Sequence, residues 1–368
     1  MGVYGYYRDT TPQLNAILSN GQGSIIRNVK ASCGESACGL TSLASSRYIH
    51  DFPDRPFTIH QALKANGYTT HMILGGDHTN FYNLRDKYGS VDSFFDGSMA
   101  KDFYMNDDSF LIKKTNELPQ WDSKPVSIQY HLMSTHVLGL HHKAYNQFLP
   151  FRKYDALTNE PPNIAFTNNY DNGVLQMDAI IGSLLKSLKS KGYLENSLVV
   201  ITGDHGDGLG EHGKYSHGNS VYDELLNIPL IFISYGSSQP IKFNVKNLIS
   251  QIDIAPSILQ ELNIEVPATW SGIPIQSNKS HDLVHFQMNA DFGVYDHRDN
   301  NHLWKYWKNL NSNEFFVFNL STDPDEKENL FDRIPYDQKE KFFRSIVTSY
   351  TSTIFVPIPR EFKQIKNQ

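Results

Sequence analysis

Cysteine is nearly absent from these 368 residues, with only Cys33 and Cys38, five positions apart. That is too few for a disulfide scaffold, and no CxxC or Cys/His zinc knuckle is present. A local bridge between the two would fit an oxidising compartment and two free thiols the cytosol; the sequence leaves both open. A basic excess is also missing: 33 Lys and Arg against 39 Asp and Glu give a net charge of −6 and a pI near 6.2. A nucleic-acid-binding surface is therefore not expected. No stretch approaches the ~20 apolar residues of a membrane span. The opening segment, MGVYGYYRDTTPQL, lacks the basic and apolar regions of a signal peptide. Any membrane or export segment is expected upstream of Met1. There are no repeats and no low-complexity linkers.

What the chain does have is an ordinary globular balance, 39% hydrophobic and 20% charged. Its 12% aromatic content fits either a cleft that grips sugars or lipid head groups, or simply a Tyr-rich surface and core. Helices alternate with buried strands, which predicts an α/β fold with a mostly parallel central sheet and helices on both faces. Thr58–Asn66 reads as a helix stopped by Gly67, and Tyr68–Leu74 as the strand after it. Lys124–Tyr130 is another strand. Between Asn169 and Ser190, Val174, Met177, Ile181, Leu184, Leu185 and Leu188 recur at helical spacing. Ser197–Thr202 and Ile228–Ser234 are continuous apolar runs of the kind found in central strands, and Ile252–Leu262 returns to helix. Residues 1–272 are read as the catalytic core. Residues 273–368 are read as a small antiparallel α+β segment packed on it, ending in a helix over Tyr336–Ser352.

Three motifs carry chemistry. In LVVITGDHGDGLGEHGKYSHG an apolar strand ends in Gly203-Asp204-His205-Gly206. Open α/β sheets bind ligands at that edge, and an Asp oxygen beside a His nitrogen suits a divalent metal. His212 and His217 follow in the same glycine-rich loop. In ASCGESACGLTSLASSRY, Ser36 sits among small residues at the start of a helix-compatible run. There, backbone N–H groups can face an anion, and a serine beside a metal can attack phosphorus or sulfur. In YHLMSTHVLGLHH, His131, His136, His141 and His142 follow a predicted strand, and His136 is the one assigned to the substrate.

Together these segments resemble the sulfatase-like branch of the alkaline phosphatase superfamily, and more closely its phosphoethanolamine and phosphoglycerol transferases. The resemblance covers most of the chain. It implies Ser36 as nucleophile and metal ligand, Asp204 and His205 as further ligands, and His136 and His217 as substrate contacts. GYTTHMILGGDHTNFYNLRDKYG looks like the phosphoglycerol transferases and suggests Tyr82 and Arg85 as substrate-binding residues. The implied cofactor is Zn²⁺, with Mn²⁺, Mg²⁺ or Ca²⁺ as alternatives. A phospholipid donor and a glycan or lipid acceptor are implied as partners, at a periplasmic or other extracytoplasmic site tethered to the membrane. Counting onto the sulfatase signature also reaches Ser36, but Cys38 and Leu40 replace the Pro and Arg of that signature. The family's first strand, with a carboxylate ligand, would end just before residue 1, leaving Glu35 or Asp9 as substitute acids. Alternative readings are a phosphate- or sulfate-ester hydrolase, and a non-catalytic copy lacking one ligand.

Overall fold

The protein is represented by a computed structural model that describes residues 1–21, 23–153, 163–236, 241–244, 248–299 and 301–350. The strands are β1 (Gly23–Lys30), β2 (Thr69–Leu74), β3 (Ser93–Asp96), β4 (Val126–His131) and β5 (Ser197–Thr202). Next come the two-residue β6 (Gly208–Leu209) and β7 (Tyr215–Ser216), then β8 (Asn227–Tyr235) and β9 (Ile249–Ser250). A C-terminal set follows: β10 (Leu283–Met288), β11 (Asp291–Asp296), β12 (Trp304–Asn309) and β13 (Phe315–Asn319). The helices are α1 (Pro12–Leu18), α2 (Ser36–Ser45), α3 (Ile59–Ala65), α4 (Leu84–Lys87), α5 (Ser109–Glu117), α6 (Ile164–Ser190), α7 (Asp223–Leu226), α8 (Ile254–Glu261) and α9 (Tyr336–Tyr350).

The predicted α/β fold is present, with its strands in two groups. One group, ordered β3-β2-β4, is wholly parallel. The other, β5-β8-β1-β9, is mixed, because β8 runs antiparallel to both β5 and β1. Parallel neighbours need a crossover that carries the chain back across the sheet. The Gly-rich loop and α7 between Thr202 and Asn227 instead return the chain at the same end, so β8 reverses. Apolarity marked β8 as buried but could not reveal its direction.

Helix α6 joins the two groups. It starts at Ile164, earlier than the periodicity suggests, and Asn163 caps it by accepting a hydrogen bond from Ala165 N at 2.9 Å. Ile181, Leu185 and Leu188 pack with Ile231 and Ile233 of β8, while Ile180 and Leu184 pack with Ile73 of β2 and Phe110 and Leu111 of α5. Asp178 of α6 caps α1, accepting from Gln13 N at 2.7 Å and Leu14 N at 3.0 Å.

Among the described residues β4 pairs with β2 alone and β5 with β8 alone, while β3 and β9 form the opposite edges of the two groups. All six residues of β4 and of β5 are partly exposed, whereas β8 is buried along most of its length.

The C-terminal segment is an antiparallel meander in the order β10-β11-β12-β13. It is the antiparallel α+β segment expected there; β10, β12 and β13 are rich in apolar and aromatic residues, while β11, DFGVYD, carries a glycine and acidic ends. Gly293 is needed there, since a Cβ would lie 2.4 Å from Trp307 Cβ on the next strand. One face of the meander receives Phe342, Ile346 and Tyr350 of α9. The predicted continuation of this helix, residues 351–352, lies outside the described residues. The other face puts Val284, Phe286, Tyr295, Trp307 and Phe318 into the same core as Ile26, Val29, Leu230 and Phe232 of the main sheet.

A buried charge network locks the meander in place. Lys305 of β12 is fully buried, with its Nζ 2.8 Å from Asp223 Oδ1 and 2.7 Å from Glu326 Oε1. Lys30 of β1 donates to Asp223 Oδ2 at 2.5 Å, and Tyr295 OH to Asp223 Oδ1 at 2.6 Å. Removing one member strands the others in a dry site, which typically costs about 3–5 kcal/mol. Lys305→Ala should therefore lower unfolding stability by about that amount, measured as a shift in urea midpoint with an unchanged slope.

Candidate active site

The carboxyl end of β5 runs through Gly203 into Asp204 and His205. Helix α2 approaches from the other side, and its first turn rests directly on this corner. A Cβ on Gly39 would lie 2.5 Å from Asp204 O, so glycine is required for the approach. Gln251 Nε2 donates to Asp204 O at 2.6 Å and pins the turn. As a result, Ser36 Oγ at the start of α2 is 3.1 Å from His205 Nε2. Cys33 and Cys38 form a disulfide across the turn that carries Ser36, with a Cα–Cα distance of 6.3 Å.

Hydrogen bonds fix the tautomers of two imidazoles and orient a third. His205 Nδ1 lies 2.7 Å from Gly206 O, which can only accept. Nδ1 therefore carries the proton, and Nε2 turns a lone pair toward Ser36. His136 Nδ1 accepts from Leu138 N at 3.0 Å, so its Nε2 carries the proton and can donate to a substrate oxygen. His217 Nδ1 lies 3.0 Å from Asp207 Oδ1. The His217 ring is 4.6 Å from the His205 ring and 4.9 Å from the His136 ring, centroid to centroid.

Their electrostatics differ. Burial lowers the His136 pKa to about 4, helped by His217 and His131, so His136 is neutral at physiological pH. Burial would also lower His217, but the Asp207 hydrogen bond and charge outweigh it and raise its pKa, favouring the imidazolium. Burial opposes ionisation of Asp204, yet His205 and His131 hold its carboxyl well below the usual range. Asp204 Oδ2 is shut off from solvent, receives no hydrogen bond and lies 3.5 Å from His205 Nε2.

An orphaned carboxylate oxygen, an imidazole lone pair and a serine hydroxyl at such spacing fit a divalent cation in kind. Asp204, His205 and Ser36 would hold it. They do not complete a set: among the described residues no group of three or more His, Cys, Asp or Glu is arranged for a metal. Of the substitute acids, Glu35 holds the N-cap position of α2 without a side-chain capping hydrogen bond and acts on His217 through its charge. Asp9 is spent on an exposed hydrogen bond from Asn15 Nδ2 at 3.2 Å.

The structure thus brings Ser36, Asp204, His205, His136 and His217 together. Tyr82 lies on the loop after β2, and Arg85 in the short helix α4 that follows it. Tyr82 is 61% exposed, and the Arg85 guanidinium stacks over Phe94 at 4.7 Å. His141, His142 and His212 are held by Ser134 O, Asp107 and Glu224 respectively. Sequence reasoning left His131 at background, but it ends β4 close enough to act on Asp204 and His136. Its Nδ1 is 3.0 Å from His78 Nε2, and His78 Nδ1 is 2.8 Å from Tyr88 OH. The signal for it was its place at a predicted strand end, the same signal that marked Asp204.

The sulfatase family model matches residues 1–264. The chain belongs to the sulfatase family. Among its relatives is the Δ4,5-hexuronate-2-O-sulfatase of Bacteroides thetaiotaomicron, 26% identical over 251 residues, which are 64% of this chain and 48% of the relative. The chain thus spans about half the length of that protein. Of solved structures, BT4656 in complex with its substrate D-glucosamine-2-N,6-O-disulfate superposes with a TM-score of 0.76 at 17% identity, covering 96% of this chain and 95% of the other. The soluble domain of lipooligosaccharide phosphoethanolamine transferase A from Neisseria meningitidis gives a TM-score of 0.61 at 20% identity, covering 73% and 85%. At these identities the superpositions speak for the fold. This sulfatase-family fold is the one expected of the alkaline phosphatase superfamily.

Buried neutral imidazoles make the protein acid-sensitive. Burial brings the folded pKa to about 3 for His78 and about 4 for His60 and His136. All lie below the ordinary value of about 6.5, so between the two values the unfolded chain binds more protons and stability rises with pH. The contribution is whole above pH ~6.5 and drains away toward pH ~4. Thermal midpoints should fall across that window, and His60→Gln should flatten the slope.

Proposed function

We propose that this sulfatase-family chain supplies the catalytic machinery of a metal-dependent transferase that moves a phosphoryl-linked head group through Ser36. The observation that carries this reading is the 3.1 Å approach of Ser36 Oγ to the lone pair on His205 Nε2. Ser36 is a plain hydroxyl followed by Ala37, Cys38, Gly39 and Leu40, without the Pro and Arg of the sulfatase signature. A serine alkoxide forms a stable ester with phosphorus, which suits transfer to a second alcohol.

A bound divalent cation, Zn²⁺ by the donor set, would offset negative charge on the phosphoryl oxygens and favour the ionised hydroxyl. The protein's own groups do the rest. Ser36 enters as the alkoxide, its proton having passed to solvent; its Oγ bonds to phosphorus as the ester P–O bond breaks, and the leaving alkoxide takes a proton from the imidazolium of His217. His136, neutral and protonated on Nε2, donates to a non-bridging oxygen. The departing group leaves a phospho-serine, which a second alcohol cleaves by returning a proton to His217. The donor is a phospholipid and the acceptor a glycan or lipid hydroxyl. The Cys33–Cys38 bridge supports an oxidising, extracytoplasmic setting.

The curated relative's name favours a second reading, hydrolysis of a sulfate ester on a carbohydrate. A panel of phosphodiester and sulfate-ester substrates, run with and without alcohol acceptors, separates the two. Transfer predicts phosphodiester turnover that accelerates with acceptor, whereas sulfate release alone would overturn it. Ser36→Ala should lower turnover by at least about 10³-fold and abolish the phospho-enzyme seen by mass spectrometry, with Zn²⁺ content measured in both proteins.

A further inference from the structure

We propose that His212 is a positioning residue that acts only as an imidazolium: its two ring N–H groups clamp the tip of the β6–β7 hairpin, whose base carries Asp207 and His217. Its bearing on turnover rests on the proton-donor role proposed for His217. The clamp itself rests on the contacts of the ring.

β6 and β7 pair antiparallel, Gly208 with Ser216 and Leu209 with Tyr215. Asp207 precedes the first strand and His217 follows the second, and the two are joined at 3.0 Å, Oδ1 to Nδ1. The tip closes through Gly210 N, which donates to Lys214 O at 2.9 Å. A hairpin this short does not hold by itself. It needs an anchor outside its own strands, and His212 supplies one. The backbone there is left-handed, with φ 50° and ψ 22°, a conformation that costs an L-residue energy. Its ring lies flat on Tyr222, centroids 3.7 Å apart and planes within 2°. Tyr222 in turn stands edge-on to Trp307 of the meander.

The polar contacts of the ring fit one protonation state. Nδ1 lies 2.9 Å from Glu224 Oε1, and Nε2 lies 3.0 Å from Asp325 O and 3.2 Å from Glu326 O. A carboxylate and a carbonyl only accept, so both nitrogens must donate. A neutral imidazole has one N–H and would set its lone pair against either Glu224 or the two carbonyls.

Burial alone would lower the His212 pKa, but the Glu224 hydrogen bond and charge, with Glu326 behind them, raise it. The other charged groups around the ring have their own partners. The Asp325 carboxylate meets Lys327 at 2.6 Å, and that of Glu326 meets Lys305 at 2.7 Å and Asp223 N at 2.6 Å. Asp223 is held by Lys30 and Lys305, and Glu211 accepts from Leu209 N at 2.7 Å. Lys214 acts on Asp291 of β11. Tyr222 stays neutral, its phenol pushed up to about 12 by burial. A group whose folded pKa is raised stabilises below its unfolded value and ceases to as pH rises through the folded one. The clamp is therefore closed on the acid side of the His212 titration and opens on the alkaline side.

Glu224→Gln tests this, because an amide can donate to Nδ1. Neutral His212 then keeps its Nε2–H on the carbonyls, and the clamp loses its pH dependence. Hydrogen exchange with mass spectrometry, corrected for intrinsic rates and referenced to residues 228–234, reads residues 208–216. In the wild type, protection of the hairpin should fall at least about 10-fold between about pH 6 and about pH 9. The midpoint should match that of the His212 ring signal by NMR, above the ordinary value of about 6.5. In Glu224→Gln the fall should shrink below about 2-fold. His217 titrates in the same hairpin but is untouched by this change, so a fall of unchanged size in the variant would overturn the proposal. So would pH-independent protection in the wild type, or a His212 midpoint below the ordinary value. His212→Ala should show the low, alkaline level of protection at every pH and a kcat about 10-fold lower with KM little changed. Wild-type protection in that variant at acid pH, or lost protection with kcat intact, would also overturn it. Absence of wild-type phosphodiester turnover would strike the transfer reading instead, and exchange and NMR would still decide the clamp.

Discussion

Everything at the candidate site depends on how closely α2 can approach the turn after β5. The helix enters with its first turn against the carbonyl of Asp204, a contact that only a residue without a side chain permits at position 39. Gln251 holds the same carbonyl from the opposite side. Ser36 and His205 belong to segments nearly 170 residues apart, and this one van der Waals contact converts that separation into a hydrogen-bond distance. The disulfide across Cys33 and Cys38 restrains the loop from the other end of the turn.

The second organising element is the charge network around Asp223. It joins β1, α7, β12 and the Glu326 turn, so the C-terminal meander is fixed by ionic contacts as well as by the apolar layer it shares with the main sheet. Glu326 Oε2 accepts from Asp223 N at 2.6 Å, which also orders the start of α7. His212 reaches the same turn, with Nε2 3.0 Å from Asp325 O. The glycine-rich loop carrying His217 is therefore braced by residues far along the chain.

Much of this was legible in the sequence. Apolar runs located β5 and β8 because both strands pack apolar side chains beneath α6, and 3.6-residue periodicity located α6 because one face packs across two strand groups. Other features were less visible. β1 (GSIIRNVK) is interrupted by charged residues whose side chains find partners, with Lys30 on Asp223 and Arg27 over the Tyr4 ring at 5.4 Å. The reversal of β8 is a matter of connection, which composition does not encode. At the site, Asp204, His205, Ser36, His136 and His217 could be picked out by their motifs. His131 could not be separated from its neighbours, since its role depends on which strand lies beside β4.

The proton positions at this site are dictated by main-chain atoms: Gly206 O sets His205, and Leu138 N sets His136. Neither ring relies on a neighbouring carboxylate or amide side chain for its tautomer. The side chain at 138 could thus change over evolutionary time without reversing which nitrogen faces the cleft, whereas position 206 is held to glycine, since a Cβ there would lie 2.0 Å from Glu224 O. The site's acid–base identity is inherited from backbone shape, so it can survive sequence drift that would erase a signature written in side chains.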